Sequence, residues 1–278
     1  MVGKLYLCAT PIGNLEDITF RVLRILKEVD LIAAEDTRNS IRLLNHFDIK
    51  TPMTSYHEYN KIEKAYQLVK ELQKGKNIAL ITDAGTPGIS DPGEELVRIA
   101  CEAGIEVTSL PGAAACITAL TLSGLSTRRF AFEAFLPKDK KERKRILEEL
   151  KDETRTIILY EAPHHLVKTL EELRNNLGNR VITLCRELTK RYEEILRTTI
   201  DEVLEYYKEH EIRGEYVLIV EGKTIEEIEE ERKKEWEMLS IKEHMEFYEE
   251  KGISHKEAMK LVAKDRGVSK RDIYQALI

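Results

Sequence analysis

The run Asp83-Ala84-Gly85-Thr86-Pro87-Gly88-Ile89-Ser90-Asp91-Pro92-Gly93 joins two carboxylates to three glycines and two prolines. Glycine lets a ligand approach the backbone, and proline holds a loop in shape. Asp83 and Asp91 add negative charge beside that open backbone. The combination suits an ammonium, a sulfonium or ribose hydroxyls, and disfavours a bare phosphate. Two more loops share the Gly/Pro character: Thr10-Pro11-Ile12-Gly13-Asn14-Leu15 and Pro111-Gly112-Ala113-Ala114-Ala115. Any one of them is explained as a simple turn. Three of them at strand ends, one with two carboxylates, favour a ligand site.

Other segments offer chemistry with a bland alternative beside it. In Glu35-Asp36-Thr37-Arg38, a carboxylate at a strand end suits proton removal from a hydroxyl. The same turn reads equally well as a capped helix N-terminus. Tyr160-Glu161-Ala162-Pro163-His164-His165 closes a strand and opens a helix at proline. Adjacent histidines without a third ligand make a poor metal site, so a pocket wall is the favoured reading. The segment 186–194 (RELTKRYEE) reads as a solvated charged loop or as a clamp for an anionic substrate. The stretch 138–145 (KDKKERKR) carries six basic and two acidic residues, and 251–271 carries seven Lys/Arg against two acidic residues. Such runs are commonly solvated helix faces, and they also attract backbone phosphates. No G-x-G-x-x-G, P-loop or G-x-S-x-G pattern is present.

These segments need strands to hold them. Apolar runs at 4–9, 30–34, 77–82 and 105–110 predict strands, with helical spacing at 20–29, 39–47, 61–73 and 93–103. The alternation predicts a largely parallel sheet flanked by helices. A small-residue helix at 113–122 follows, then strands at 129–135, 155–160, 180–185 and 215–221, with a helix at 163–175. After Gly222 comes a charged helical run at 224–239, and 254–278 reads as two short helices in helix–turn–helix outline. The expected division is 1–112, 113–222 and 223–278.

Composition narrows the class. Over 278 residues, 42% are apolar, which excludes global disorder and leaves room for two domains. The formal net charge of −6 means that any nucleic-acid contact must come from local patches. Cys8, Cys101, Cys116 and Cys185 show no metal-ligand spacing and read mostly as buried thiols of a reducing compartment. No run approaches the ~20 apolar residues of a membrane span. The early first strand is expected to leave no room for a signal peptide.

Taken in order, TPIGNLEDIT, AAEDTR, SYHEYN, LITDAGTPGISDPG, SLPGAAA, YEAPHH and RELTKRYEE closely resemble the ribosomal RNA small subunit methyltransferase I family. That family belongs to the tetrapyrrole-methylase-like, class III methyltransferases. The likeness runs from about residue 3 to residue 222, and the helical tail also matches. It implies two α/β domains of tetrapyrrole-methylase type with a cleft between them, plus a small C-terminal helical tail. It implies 2′-O-methylation of a cytidine ribose in small-subunit ribosomal RNA, with S-adenosylmethionine as methyl donor and neither metal nor redox cofactor. It also implies a cytoplasmic homodimer.

By that resemblance Gly85, Thr86, Pro87, Ile89 and Ser90 line the donor. Pro11, Ala113, Ala114, Tyr160 and the strand end at Glu215-Tyr216 lie near it, and Asp83 and Asp91 fit its positive charge. Where the family often has serine, this chain has Ala114, which removes a hydroxyl. Glu35 or Asp36 is the candidate base, with Arg38 orienting the carboxylate or a phosphate. Lys138, Lys140, Lys141, Arg143, Lys144, Arg145, Lys190, Lys270 and Arg271 are the candidate RNA contacts. Two alternatives stand beside this reading: a class III methyltransferase acting on a tetrapyrrole or protein, and a non-catalytic ribosome- or RNA-binding protein of the same fold.

Overall fold

A computed structural model describes residues 1–278, apart from the side chain of Glu235. Among the described residues the strands form two five-stranded sheets. The first holds β1 (Lys4–Cys8), β2 (Leu31–Ala34), β3 (Met53–Ser55), β4 (Ile78–Ile81) and β5 (Glu106–Leu110) in the order β3-β2-β4-β1-β5. Every pair in it is parallel. All its strands therefore end at one edge, and all the loops that follow them emerge there.

Helices cover both faces of this sheet. α1 (Phe20–Glu28) and α2 (Thr37–His46) bury Val22, Leu26 and Leu44 against Cys8, Ile32 and Ile81. α3 (Lys61–Gln73) and α4 (Gly93–Glu102) bury Leu68, Leu72, Leu96 and Ile99 against Leu5, Ile78 and Leu80 on the other face. The chain leaving β1 thus turns to one face, and the chain leaving its neighbour β4 turns to the other. A crevice opens where adjacent crossovers diverge, which is the usual ligand position in an open α/β sheet.

The second sheet is mixed. β6 (Phe130–Phe135) runs parallel to β7 (Thr156–Glu161), whereas β8 (Val181–Arg186), β9 (Glu194–Thr199) and β10 (Tyr216–Val220) join through antiparallel pairs in the order β6-β7-β10-β8-β9. α5 (Ala115–Ser123) packs Cys116, Ala119 and Leu120 on one face, over Ile158, Cys185 and Val217. α6 (Lys140–Glu149), α7 (Leu166–Leu177) and α8 (Ile200–Glu209) cover the other.

Both sheets belong to one compact unit, residues 1–150 and 155–221. A second unit comprises 151–154 and 222–278. It contains α9 (Ile225–Met238), α10 (Ile241–Glu250), α11 (His255–Asp265) and α12 (Lys270–Leu277). Met245, Ala258, Val262, Ala263 and Ile273 form its core. Trp236 stacks on the buried His244, with ring centroids 3.9 Å apart. Lys223, 7% exposed, is neutralised by Asp152 at 2.9 Å and by Glu231. Among the described residues no helix is long and apolar enough to cross a membrane.

Candidate active site

The three Gly/Pro loops leave β4, β1 and β5, which lie side by side in the first sheet. Their backbones are tied together. Thr10 and Gly85 exchange backbone hydrogen bonds at 2.9 and 3.1 Å, and the Thr10 hydroxyl donates to the Thr82 carbonyl at 3.0 Å. The Thr86 hydroxyl donates to the Ala113 carbonyl at 3.0 Å. Gly85 has φ +89°, a left-handed backbone that side chains other than glycine adopt at a cost.

These loops form one wall of a cavity of about 270 Å³. The second sheet supplies the opposite wall through Phe135, Tyr160, Cys185, Glu187, Glu215 and Val217. The loop after β1 reaches the loop after β8 directly. A Cβ on Gly13 would meet Lys190 Cγ at 2.5 Å and the Leu188 carbonyl oxygen at 2.8 Å, so only glycine permits this approach.

Of the residues singled out for a ligand, Asp83, Gly85, Thr86, Ile89, Ser90, Asp91, Ala114 and Tyr160 line the cavity. Pro11, Pro87 and Ala113 are not among the lining residues, although they belong to the loops that carry them. Asp91 does more structural work than its charge suggested. Its carboxylate accepts from Gly88 N at 2.9 Å and from Gly93 N at 2.7 Å, which holds the loop against the start of α4. Asp83 accepts from the Asp36 amide at 3.2 Å and from Asn39 Nδ2 at 3.0 Å.

The two carboxylates of the 35–38 turn separate in role. Glu35 lines the cavity, half-buried, and accepts from the Thr82 hydroxyl at 2.5 Å. Asp36 does not line it. It caps α2 by accepting from Arg38 N at 2.8 Å, and it binds the Arg38 guanidinium at 3.1 and 2.7 Å. Those hydrogen bonds from Arg38 pull its carboxyl down to about 2. A carboxylate so stabilised in its charged form is a weak proton acceptor. Glu35 is therefore the base candidate that the geometry retains, and Arg38 acts as the partner of Asp36.

Five carboxylates line the cavity: Glu35, Asp83, Asp91, Glu187 and Glu215. Its cation, Lys190, is spoken for by Glu187 at 3.0 Å. Such a lining attracts a positively charged ligand. Tyr160 is fixed from behind, its hydroxyl accepting from the Cys116 amide at 3.1 Å. That amide lies in the first turn of α5, where Ala114 is the N-cap residue and offers no side-chain acceptor. Burial pushes the Cys8 thiol up to about 12 and the Cys185 thiol to about 11, so both stay protonated and unreactive at neutral pH.

The basic run before and along α6 divides. Lys138, Lys140, Lys141 and Lys144 are exposed, and Arg145 is exposed but pairs with Glu149 at 2.6 Å. Arg143 turns inward. Its side chain is 12% exposed, and its guanidinium bonds Glu172 at 2.6 Å and the Thr169 hydroxyl at 2.7 Å. It is a structural cation, not a free phosphate contact. In the helical unit Lys270 is half-buried and Arg271 exposed.

Ile12, Thr82 and Glu187 line the cavity from segments that the sequence marked only as whole loops, and Phe135 lines it without having been marked as a site residue. Glu187 had a signal in its position directly after an apolar strand. Phe135 had none, because its orientation depends on a bulge described below.

Comparison with known proteins places these features in a family. A sequence model of the tetrapyrrole (corrin/porphyrin) methylases matches residues 4–204. A protein of Halalkalibacterium halodurans named ribosomal RNA small subunit methyltransferase I is 54% identical over 98% of this chain and 93% of its own length. Its namesake from Bacillus subtilis is 51% identical over 99% and 94%. Among solved structures, a diphthine synthase superposes with a TM-score of 0.62 at 15% identity, covering 80% of this chain and 91% of its own. A uroporphyrin-III C-methyltransferase from Thermus thermophilus, complexed with S-adenosylhomocysteine, gives 0.57 at 19% identity over 79% and 97%. These two structures share the fold.

Proposed function

The chain belongs to the tetrapyrrole (corrin/porphyrin) methylase family and, within it, to the ribosomal RNA small subunit methyltransferase I family, and from that premise we propose that it methylates the 2′-oxygen of a cytidine ribose in small-subunit ribosomal RNA. The observation that carries the reading is the carboxylate-lined cavity at the crevice between β1 and β4.

S-adenosylmethionine fits that cavity. The Asp and Glu side chains that line it would meet the donor's sulfonium and ammonium charges, and Gly85 would leave backbone open for close contact. Gly85, Thr86, Ile89, Ser90, Ala114 and Tyr160 are the residues that would hold it, with Asp83 and Asp91 shaping the loop. When bound, the donor supplies an electrophilic methyl on a good leaving group. The protein's own task is then alignment, which is worth several orders of magnitude when two reactants are held in register. Glu35, anchored by Thr82, takes the proton from the ribose hydroxyl as it attacks, a contribution of about 10²–10⁴-fold. The exposed lysines at 138, 140, 141 and 144 supply the local positive charge that a net-acidic protein needs to hold RNA. A cytoplasmic homodimer belongs to the same reading, consistent with a ribosomal target and four free thiols.

The test is transfer of labelled methyl from S-adenosylmethionine to small-subunit RNA, as naked RNA and as the assembled subunit, followed by nucleoside analysis. The expected product is 2′-O-methylcytidine. Methylation of a tetrapyrrole or a protein, with RNA left unlabelled, supports the other methyltransferase reading. Failure to bind the donor at millimolar concentration supports the non-catalytic one.

A further inference from the structure

β6 is irregular at one point. Phe132 pairs with Ile158 and Ala134 with Leu159, so Glu133 is an extra residue opposite no partner. In a regular strand, residues 132 and 135 would face opposite sides of the sheet. The extra residue cancels that alternation. Phe135 then pairs with Tyr160, two residues from Ile158 and on the same face. Both phenyl rings accordingly meet the Tyr160 ring, Phe132 at 5.1 Å and Phe135 at 5.5 Å between centroids.

The bulge has a local conformational cost, since Ala134 sits at φ +51° without being glycine. Bulges beside active sites re-aim a side chain or end a pairing. Here the result is an aromatic ring that lines the cavity and yet remains 50% exposed. Phe132, on the same face, is more deeply set against the apolar cluster beneath. A phenyl left half exposed while it lines a carboxylate-bearing cavity, backed by a ring that is itself hydrogen-bonded in place, is a platform with one free face.

We infer that Phe135 is the platform on which the nucleobase of the acceptor nucleotide stacks while its ribose enters the cavity. The inference rests on the reading of the site as an RNA ribose methyltransferase. Bases taken out of a helix are commonly held on aromatic side chains. Two nucleobases compete for the ring, the donor's adenine and the acceptor's pyrimidine. Position favours the acceptor. The ring lies on the solvent side, where a nucleotide arriving from outside meets it. The chain leaving β6 also reaches Lys138 within three residues, and α6 then presents Lys140, Lys141 and Lys144 to solvent. Phosphates flanking the stacked nucleotide would meet those charges, whereas a cationic donor would not seek them. Stacking of this kind tolerates any base, so Phe135 sets position, and sequence choice must come from elsewhere.

The experiment measures kcat and KM for RNA at saturating donor, and donor Kd by calorimetry, in wild type, Phe135→Ala, Phe135→Leu and Phe135→Trp. The loss of one base–aromatic stack corresponds to about 5- to 150-fold in affinity. Phe135→Ala and Phe135→Leu are expected to raise KM for RNA in that range, with donor Kd within twofold of wild type and KM restored by Phe135→Trp. An RNA with an abasic nucleotide at the mapped target should make wild type and Phe135→Ala equal. Three results would overturn the inference: an unchanged KM in Phe135→Ala, a donor Kd that rises as far as KM does, or full rescue by leucine. The second would assign the ring to the donor's adenine, and the third would assign it to packing. A wild-type protein that binds donor but leaves RNA unmethylated would instead defeat the functional reading beneath it, and the inference with it.

Discussion

Arg143 and Lys144 are neighbours in one basic run, and the structure gives them opposite duties. Arg143 donates to Glu172, to the Thr169 hydroxyl and, at 3.4 Å, to the Leu136 carbonyl. Thr169, 1% exposed, donates its own hydroxyl hydrogen bond to the buried Glu161 carboxylate. Arg143→Ala removes the cation and strands these acceptors. Breaking a fully buried pair costs about 3–5 kcal/mol, and Glu172 keeps some access to water at 28% exposure, so about 2–4 kcal/mol is the expected loss. For a unit of this size that is roughly 5–15 °C in Tm. Lys144→Ala, on exposed helix surface, should stay within about 0.5 kcal/mol of wild type. Its effect should appear in RNA binding, where loss of one phosphate contact lowers the slope of log K against log salt by about 0.7–0.9. Denaturant unfolding and a salt titration of RNA affinity, run on both variants, make the assay. An Arg143→Ala protein of normal stability with a reduced salt slope would refute the assignment.

Four further outcomes follow from the site. Glu35→Gln should lower kcat by about 10²–10⁴-fold, well beyond the weaker donor binding expected from losing one of the lining carboxylates, because it removes the proton acceptor. Asp36→Asn should cost only a few-fold, since asparagine still caps α2; the reverse ranking in single-turnover assays would move the base to Asp36. Gly85→Val forces a β-branched residue into φ +89°, with its Cβ 3.4 Å from Ile12 and 3.5 Å from the Ala113 carbonyl oxygen. It should cost about 1–3 kcal/mol in stability and weaken donor binding at least tenfold by calorimetry, and unchanged affinity would displace the site. Ala114→Ser restores a capping hydroxyl at an N-cap that has none, with φ −145° and ψ 114° already suited to it. It should gain about 0.5–1 kcal/mol in denaturant unfolding, and a loss would show that the hydroxyl cannot reach the first turn.

What the sequence revealed follows from where each strand lies. β1, β4, β7, β8 and β10 are interior strands, apolar on both faces, and their runs stand out without periodicity. β3 and β9 are edge strands, one of three residues and the other carrying Glu194 and Arg197, so they read as loop. α8 and α10 were legible in principle, since Thr199 with Glu202 and Ser240 with Glu243 form capping boxes. The grouping of 151–154 with the C-terminal helices is set by contacts such as Asp152 with Lys223, which sequence order hides. The Gly/Pro loops announced the site because close backbone approach needs those residue types. The inward turn of Arg143 and the outward turn of Phe135 stayed hidden, since one depends on a buried acceptor and the other on a single inserted residue.

The most direct test of the central claim is a nucleotide-resolution map of ribose methylation in small-subunit RNA from cells with and without the gene. One 2′-O-methylcytidine should vanish on deletion. It should return with the wild-type protein and fail to return with Gly85→Val. An identical map in both cells would contradict the account.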